Sequence, residues 1–416
     1  MGKIETIDKY VARLLMICLL FPGKWQGAAP MLVSLYFVVR TIVVKESSFS
    51  RNYAKALLIS VAFIIYLLAI PIMPHEYFLA ARRVCEGRAS MLLLPLVFAG
   101  ITQAFTKLIW RERYWFVYAC VVSCLIGNAV FGYHYFTNDG TVTLSHVAYR
   151  SLFDVTTTIH PTYMSMYLSF AICMVLLSGN DGNSPVKWMR YLLAYLMLIF
   201  LLCLLAKTPI IALVVIFIHY AWGHRKQLYR YKAIFAGTLI VIAAVYLFVP
   251  FFRQRVAELS GFFGKSKTEN VIDNSVAMRK LIWHTDMDML HHYWLTGAGP
   301  GRLFPLLKQR YFFYSLANGE VIGPYDPHNE YLYDWLSLGI AGILLMVLVL
   351  GIHISRAIRS NNTLYLYLLI ILSVSFFTES VLSLQQGVLF YAIFTSILYF
   401  LPQEKPAGQP AIFSPA

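Results

Sequence analysis

Charge is what this chain has least of. Only 13% of its 416 residues are Asp, Glu, Lys or Arg, where an ordinary soluble domain has about 25%. Hydrophobic residues make up 59% and the mean hydropathy is +0.64. A soluble globular domain is thereby excluded, because one cannot bury so much apolar side chain. Acidic residues are scarcer still, 20 against 34 basic ones. Cysteine is too sparse and too poorly placed for a disulfide framework or a thiolate metal site. Cys18, Cys120, Cys124, Cys173 and Cys203 fall inside apolar runs, and only Cys85 lies in a connection. There is no internal repeat, and the first apolar run lacks the small-residue cleavage site of a signal peptide.

What the chain does have is long apolar runs. A membrane-spanning helix needs about 20 mostly apolar residues, since its backbone must be hydrogen-bonded internally across the hydrocarbon. Twelve runs approach that length, near 10–22, 28–44, 54–72, 89–106, 114–132, 161–178, 189–206, 208–222, 232–250, 331–355, 363–382 and 386–401. The expected fold is an all-α polytopic membrane protein of about twelve transmembrane helices. Residues 1–250 hold helices one to nine, 251–330 form a large outer loop with amphipathic helices, 331–401 hold helices ten to twelve, and 402–416 form a disordered inner tail.

The net charge of +14 does not point to nucleic acid. With both termini inside, 19 of the 34 Lys and Arg fall on the inner side but only 6 of the 20 Asp and Glu. The excess is the positive-inside bias of a membrane protein, clearest at Arg225, Lys226, Arg230 and Lys232. The span interiors are nearly free of charge, which disfavours an ion-coupled transporter, the main alternative of another class.

Two outer segments are long, 133–160 and 251–330. The second opens with Arg253 and Arg255, passes through the polar stretch GKSKTENVIDNS, and becomes periodic from Val276 to His292. Met278, Leu281, Ile282, Met289 and Leu290 share one helical face, so an amphipathic helix on the outer membrane surface is expected. Gly297, Gly299 and Gly301 end it, and Tyr311, Phe312, Phe313 and Tyr314 form an aromatic cluster of interfacial type.

Chemistry gathers where inward-running helices begin. His160-Pro161, Lys207-Thr208-Pro209 and Asp326-Pro327-His328-Asn329 each precede an apolar run. Proline suits a first helical position, and Thr208 and Asp326 are capping residues. Converging N-termini, joined by Lys207 and by Arg279 from the surface helix, make an anion site. His328 stands out, because burying a histidine with Asp326 and Asn329 at a helix mouth costs free energy unless the groups are partnered or used. A histidine titrating near neutrality beside an anion site suits transfer of a group from a phosphorylated lipid carrier. A second polar set, His284, Asp288, His291 and His292, has metal-like spacing on a helix face, but a solvated face explains it better.

The stretch PHNEYLYDWLSLGIAGILL, residues 327–345, resembles the signature of the O-antigen ligase and polymerase family. Upstream, MRKLIWHTDMDMLHHYWLTGAGPGRL is similar to that family's outer loop, and HPTYMSMYLSF to a segment of some of its branches. The resemblance implies a GT-C-like membrane glycosyltransferase that is inverting and uses neither a metal nor a nucleotide sugar. The donor it implies is an undecaprenyl diphosphate-linked glycan, and the acceptor a lipid A-core oligosaccharide, at the periplasmic face of a Gram-negative inner membrane. The family's essential histidine falls on His328 as the catalytic base. Its loop arginine falls on Arg279, which with Lys207 would bind the donor diphosphate, supported by Asp326, Asn329 and His160. Lys207 departs from the family's usual arginine, keeping the charge and losing the planar fork. A ligase is expected over a polymerase, since protein-glycosylating relatives carry a further C-terminal region that this chain lacks after Leu401.

Overall fold

The computed structural model describes residues 2–23, 25–44, 51–137, 146–177, 186–223, 232–249, 252–253, 275–318 and 325–402. Arg225, Lys226, Arg230, Arg255, the GKSKTENVIDNS stretch up to residue 274 and the tail 403–416 lie outside the described residues. Within them the chain forms helices and short connections, with no strand.

The first half comprises Gly2–Ile17 (α1), Trp25–Val44 (α2), Arg51–Ile59 (α3), Val61–Ala69 (α4), His75–Arg88 (α5), Ser90–Gly100 (α6), Gln103–Arg111 (α7), Tyr114–Thr137 (α8) and His146–Thr157 (α9). Then follow Pro161–Leu177 (α10), Lys187–Leu204 (α11), Lys207–Gly223 (α12), Lys232–Phe248 (α13), Ser275–Tyr293 (α14) and Leu303–Asn318 (α15). Glu330–Leu338 (α16), Ile340–Arg359 (α17), Thr363–Phe376 (α18) and Gln385–Phe400 (α19) complete the chain.

Most of the apolar runs appear as helices close to their expected bounds, as a polytopic membrane protein requires. Among the described residues, three single helical stretches are long and apolar enough to cross a bilayer: Trp25–Val44, Gln103–Thr137 and Ile340–Arg359. Five shorter apolar helices accompany them. Other runs are broken. The 54–72 run bends by 63° after Ile59, and α9 meets α10 at 79°. The run expected over 331–355 divides at Gly339, whose φ of +66° stops α16 before α17 begins. Hydropathy is blind to such bends, because both arms of a broken helix remain apolar.

Two helices, α10 and α19, form the bundle's centre. Nearly every side chain from Pro161 to Val175 and from Gly387 to Tyr399 is buried, as expected for helices that are apolar all round. Phe116, Tyr167, Phe170, Phe390 and Phe394 interlock there, with ring centroids 4.9–6.3 Å apart. Each of these aromatic contacts is worth about 0.5–1.5 kcal/mol beyond area burial.

α14 forms where the periodicity put it, and its apolar face is covered by protein. Ile282, Met289 and Leu290 are buried against Leu303, Leu307 and Tyr311 of α15 and Leu332 and Leu336 of α16, a second core separate from the bundle's. Tyr311 belongs to that core, while Phe312 and Phe313 are exposed. The glycine run locks this unit in place. Ala298 and Gly299 donate backbone N–H groups to the carbonyls of Leu336 and Ser337 at 2.7 and 2.9 Å. A Cβ on Gly297, φ +73°, would lie 2.5 Å from the Ser337 carbonyl oxygen, so only glycine fits this docking.

Candidate functional site

Residues from distant parts of the chain meet at one end of the bundle. α10, α12, α16 and α19 begin there, and α18 ends there with Thr378 and Glu379 just beyond. Before three of the starts the backbone takes the left-handed conformation at a residue other than glycine: Thr158 (φ 56°), Leu205 (φ 55°) and His328 (φ 44°). Such backbone costs about 1–3 kcal/mol per residue and persists where surrounding contacts over-determine it.

The caps form differently from the sequence expectation. Asn329, not Asp326, is the N-cap of α16, its side chain accepting from the N–H of Leu332 at 3.0 Å. Pro327 therefore lies outside the helix, and its carbonyl accepts from the Trp283 indole of α14 at 3.0 Å. Asp326 instead accepts the backbone N–H of His328 at 3.0 Å, which holds the turn in its strained conformation. Thr208 is not a cap either. It lies inside the first turn of α12, and its hydroxyl meets that of Thr378 at 2.5 Å. His160 does cap, its Nδ1 lying 3.4 Å from the N–H of Thr162 as Pro161 opens α10.

Glu379 joins these pieces. One carboxylate oxygen takes a hydrogen bond from Arg279 Nη2 at 2.7 Å, and the other lies 3.1 Å from His328 Nδ1. Arg279 Nε also donates to the Thr378 carbonyl at 3.2 Å. Asp326 stands farther from the imidazole, 3.5 Å from Nδ1. With Nδ1–H donated to Glu379, the other ring nitrogen becomes the acceptor. Nε2 has no hydrogen-bond partner among the described residues, and the side chain is 32% exposed. The same holds for the Nη1 donors of Arg279, so both groups present free hydrogen-bonding capacity on one surface.

Electrostatics follow from this geometry. Burial works to lower the pKa of His328, but the hydrogen bond to Glu379 and the charges of Asp326 and Glu379 outweigh it, and the net shift is upward. Burial would raise Glu379, yet His328 and Arg279 hold it below the usual carboxylate value. Asp326 is raised by burial, with His328 opposing. His160 is lowered, chiefly by burial, while Glu379 partly restores it and Arg150 adds to the fall. The pair His328 and Glu379 thus favours its charged form, and His160 its neutral one.

His328, Arg279, Asp326 and Asn329 are therefore assembled together. Lys207 opens α12 one residue before the Thr208–Thr378 contact, and His160 lies close enough to the group to feel the charges of Glu379 and His328, while its N–H donates to Gln386 Oε1 at 3.1 Å. Glu379, Gln386 and Arg150 enlarge the sequence-derived set. Arg150 donates to the carbonyl of Leu204 at 2.8 Å, bracing the turn ahead of Lys207. A lone glutamate near the end of the 363–382 run signalled Glu379, but only the fold pairs it with His328. His284 and Asp288 face solvent, and among the described residues no group of three or more His, Cys, Asp or Glu is placed to hold a metal ion.

No curated protein matches the chain. Residues 192–347 match the family model described as O-antigen ligase, a span that contains Lys207, Arg279, Asp326, His328 and Asn329 and stops short of Glu379. Over this segment, less than half of its length, the chain is similar to the O-antigen ligase family.

Proposed function

We propose that the protein is an O-antigen ligase, moving a glycan from undecaprenyl diphosphate to a lipid A-core oligosaccharide at the periplasmic face of the inner membrane. The observation that carries the reading is His328, anchored through Nδ1 to Glu379, with Nε2 and the Nη1 donors of Arg279 without partners among the described residues.

In the step envisaged, Nε2 of His328 takes the proton of an acceptor hydroxyl as its oxygen attacks the anomeric carbon of the donor sugar. A new glycosidic C–O bond forms as the bond from that carbon to the diphosphate breaks, with inversion. General-base assistance of this kind contributes about 10²–10⁴-fold. The departing diphosphate gathers negative charge, which Arg279, Lys207 and the N-termini of α10, α12 and α16 are arranged to meet. Glu379 fixes the imidazole tautomer and stabilises the imidazolium that results. Glu379 suits that role better than Asp326 on distance, and Asp326 acts through the backbone of His328.

Deleting the gene in its host and examining the lipopolysaccharide on a gel tests the reading, with complementation by wild type and by His328→Ala. Core without polymer, and long glycan stranded on the carrier, is the expected result. Core bearing a single repeat would make the protein a polymerase instead. Normal polymer in the deletion strain would remove the enzyme from this route.

A further inference from the structure

Behind the site lies a second charged cluster that the proposed chemistry does not use. Arg88, the last residue of α5, is 2% exposed. Its Nη2 donates to Glu330 Oε1 at 2.7 Å and its Nη1 to Asp334 Oδ1 at 2.9 Å. The rings of Tyr66 and Tyr333 lie 4.5 and 4.9 Å from its guanidinium carbon. Tyr66 completes the set by donating its hydroxyl to Asp334 at 2.5 Å. Arg88, Glu330, Asp334 and Tyr66 are buried and Tyr333 is half-buried, so the charged groups of the cluster are closed to substrate.

Glu330 has a second bond that an ion pair alone does not require. Its Oε2 accepts the backbone N–H of Leu382 at 2.7 Å. Leu382 lies in the turn Val381–Ser383, three residues beyond Glu379, and Glu330 itself lies two residues beyond His328. One buried carboxylate thus touches both stretches of backbone on which the His328–Glu379 pair stands, and Arg88 fixes that carboxylate to α5. A change in the separation of the two stretches must therefore break a buried, charge-assisted bond, which is costly.

We propose that Arg88 and Glu330 are positioning residues, a sealed clamp that sets the distance between His328 and Glu379. The clamp rests on the proposed function only for what the pair does, and not for how the pair is held. Without it the hydrogen bond from Nδ1 lengthens, the tautomer is less firmly fixed, and the imidazole loses the carboxylate that favours its protonated form. The charged and titratable groups facing His328 are Asp326, Glu379, Arg279, His160, Asp286 and Tyr325, whose ring lies 6.2 Å from the imidazole, and the test leaves all of them in place.

The test uses the full-length protein purified into lipid nanodiscs. Carbethoxylation of His328 by diethyl pyrocarbonate, followed across pH by mass spectrometry of the peptide that contains it, reads the titration midpoint without any substrate. Transfer from a lipid diphosphate-linked glycan is measured alongside. Glu330→Gln keeps the side chain's shape and removes its charge. The expected result is a midpoint lower than wild type, a kcat reduced about 10–100-fold, as for groups that orient an active residue from behind, and a donor KM within about twofold. Arg88→Lys, which keeps charge but loses the fork, serves as the second variant and is expected to fall between Glu330→Gln and wild type. A midpoint unmoved in both folded variants overturns the clamp, whatever transfer does. A midpoint that moves while transfer stays normal upholds the clamp and removes His328 from the reaction.

Discussion

The two charged clusters that flank the start of α16 are built from nearly the same parts and are suited to opposite ends. In one, Arg279, Glu379, Asp326 and His328 lie at the mouth of the bundle, and each basic partner keeps a donor or acceptor without a partner among the described residues. In the other, Arg88, Glu330, Asp334 and Tyr66 are sealed, with the guanidinium shared between two carboxylates and two aromatic faces. Residue type does not separate a reactive site from a structural one here. What separates them is whether the hydrogen-bonding capacity is used up, and whether solvent can reach what remains.

The comparison can be broken most sharply at His328. His328→Ala removes the open acceptor and should lower glycan transfer by about 10²–10⁴-fold, with the melting temperature close to wild type. A large loss of stability would place His328 among the sealed groups. Arg88→Ala should act on stability as well as on transfer. It leaves Glu330 and Asp334 buried without a counter-charge, at a cost of about 3–5 kcal/mol, read as a fall in thermal stability in detergent or nanodiscs.

Arg279→Ala should raise the donor KM about tenfold or more, from the loss of charged hydrogen bonds worth about 1.5–3 kcal/mol. Arg279→Lys should recover only part of this, because a point charge cannot serve Glu379, the Thr378 carbonyl and a phosphate with one fork. Equal behaviour of the two variants would mean that Arg279 contributes charge alone. The smallest effect is expected at Lys207→Arg, which restores the planar fork and should change donor KM by no more than a few-fold, downward, in steady-state transfer assays.

Much of the open cluster was legible in the sequence, and almost none of the sealed one. His328 and Asn329 announce themselves as polar groups crowded ahead of an apolar run, and Arg279 stands on a helix whose periodicity is plain. Arg88 carries no such signal. An arginine next to a span reads as an ordinary flanking charge, and its carboxylate partners are more than 240 residues away. The choice of cap was also hidden. Asp326 and Asn329 are both good capping residues, and the left-handed turn at His328 decides between them. The burial of α14 against α15 and α16 escaped for another reason, since periodicity shows that a face is apolar and not what covers it.

The pH dependence of transfer by the purified protein, wild type against Glu379→Gln, tests the central claim most directly. If neutral His328 accepts the proton, the rate rises with pH through the histidine's pKa. Glu379 raises that pKa by its hydrogen bond and charge, so wild type should rise at a pH above the ordinary histidine value of about 6.5. Removing the charge should move the rise to lower pH and reduce the plateau rate. A rise that stays where it was in Glu379→Gln, at an unchanged plateau, would contradict the account.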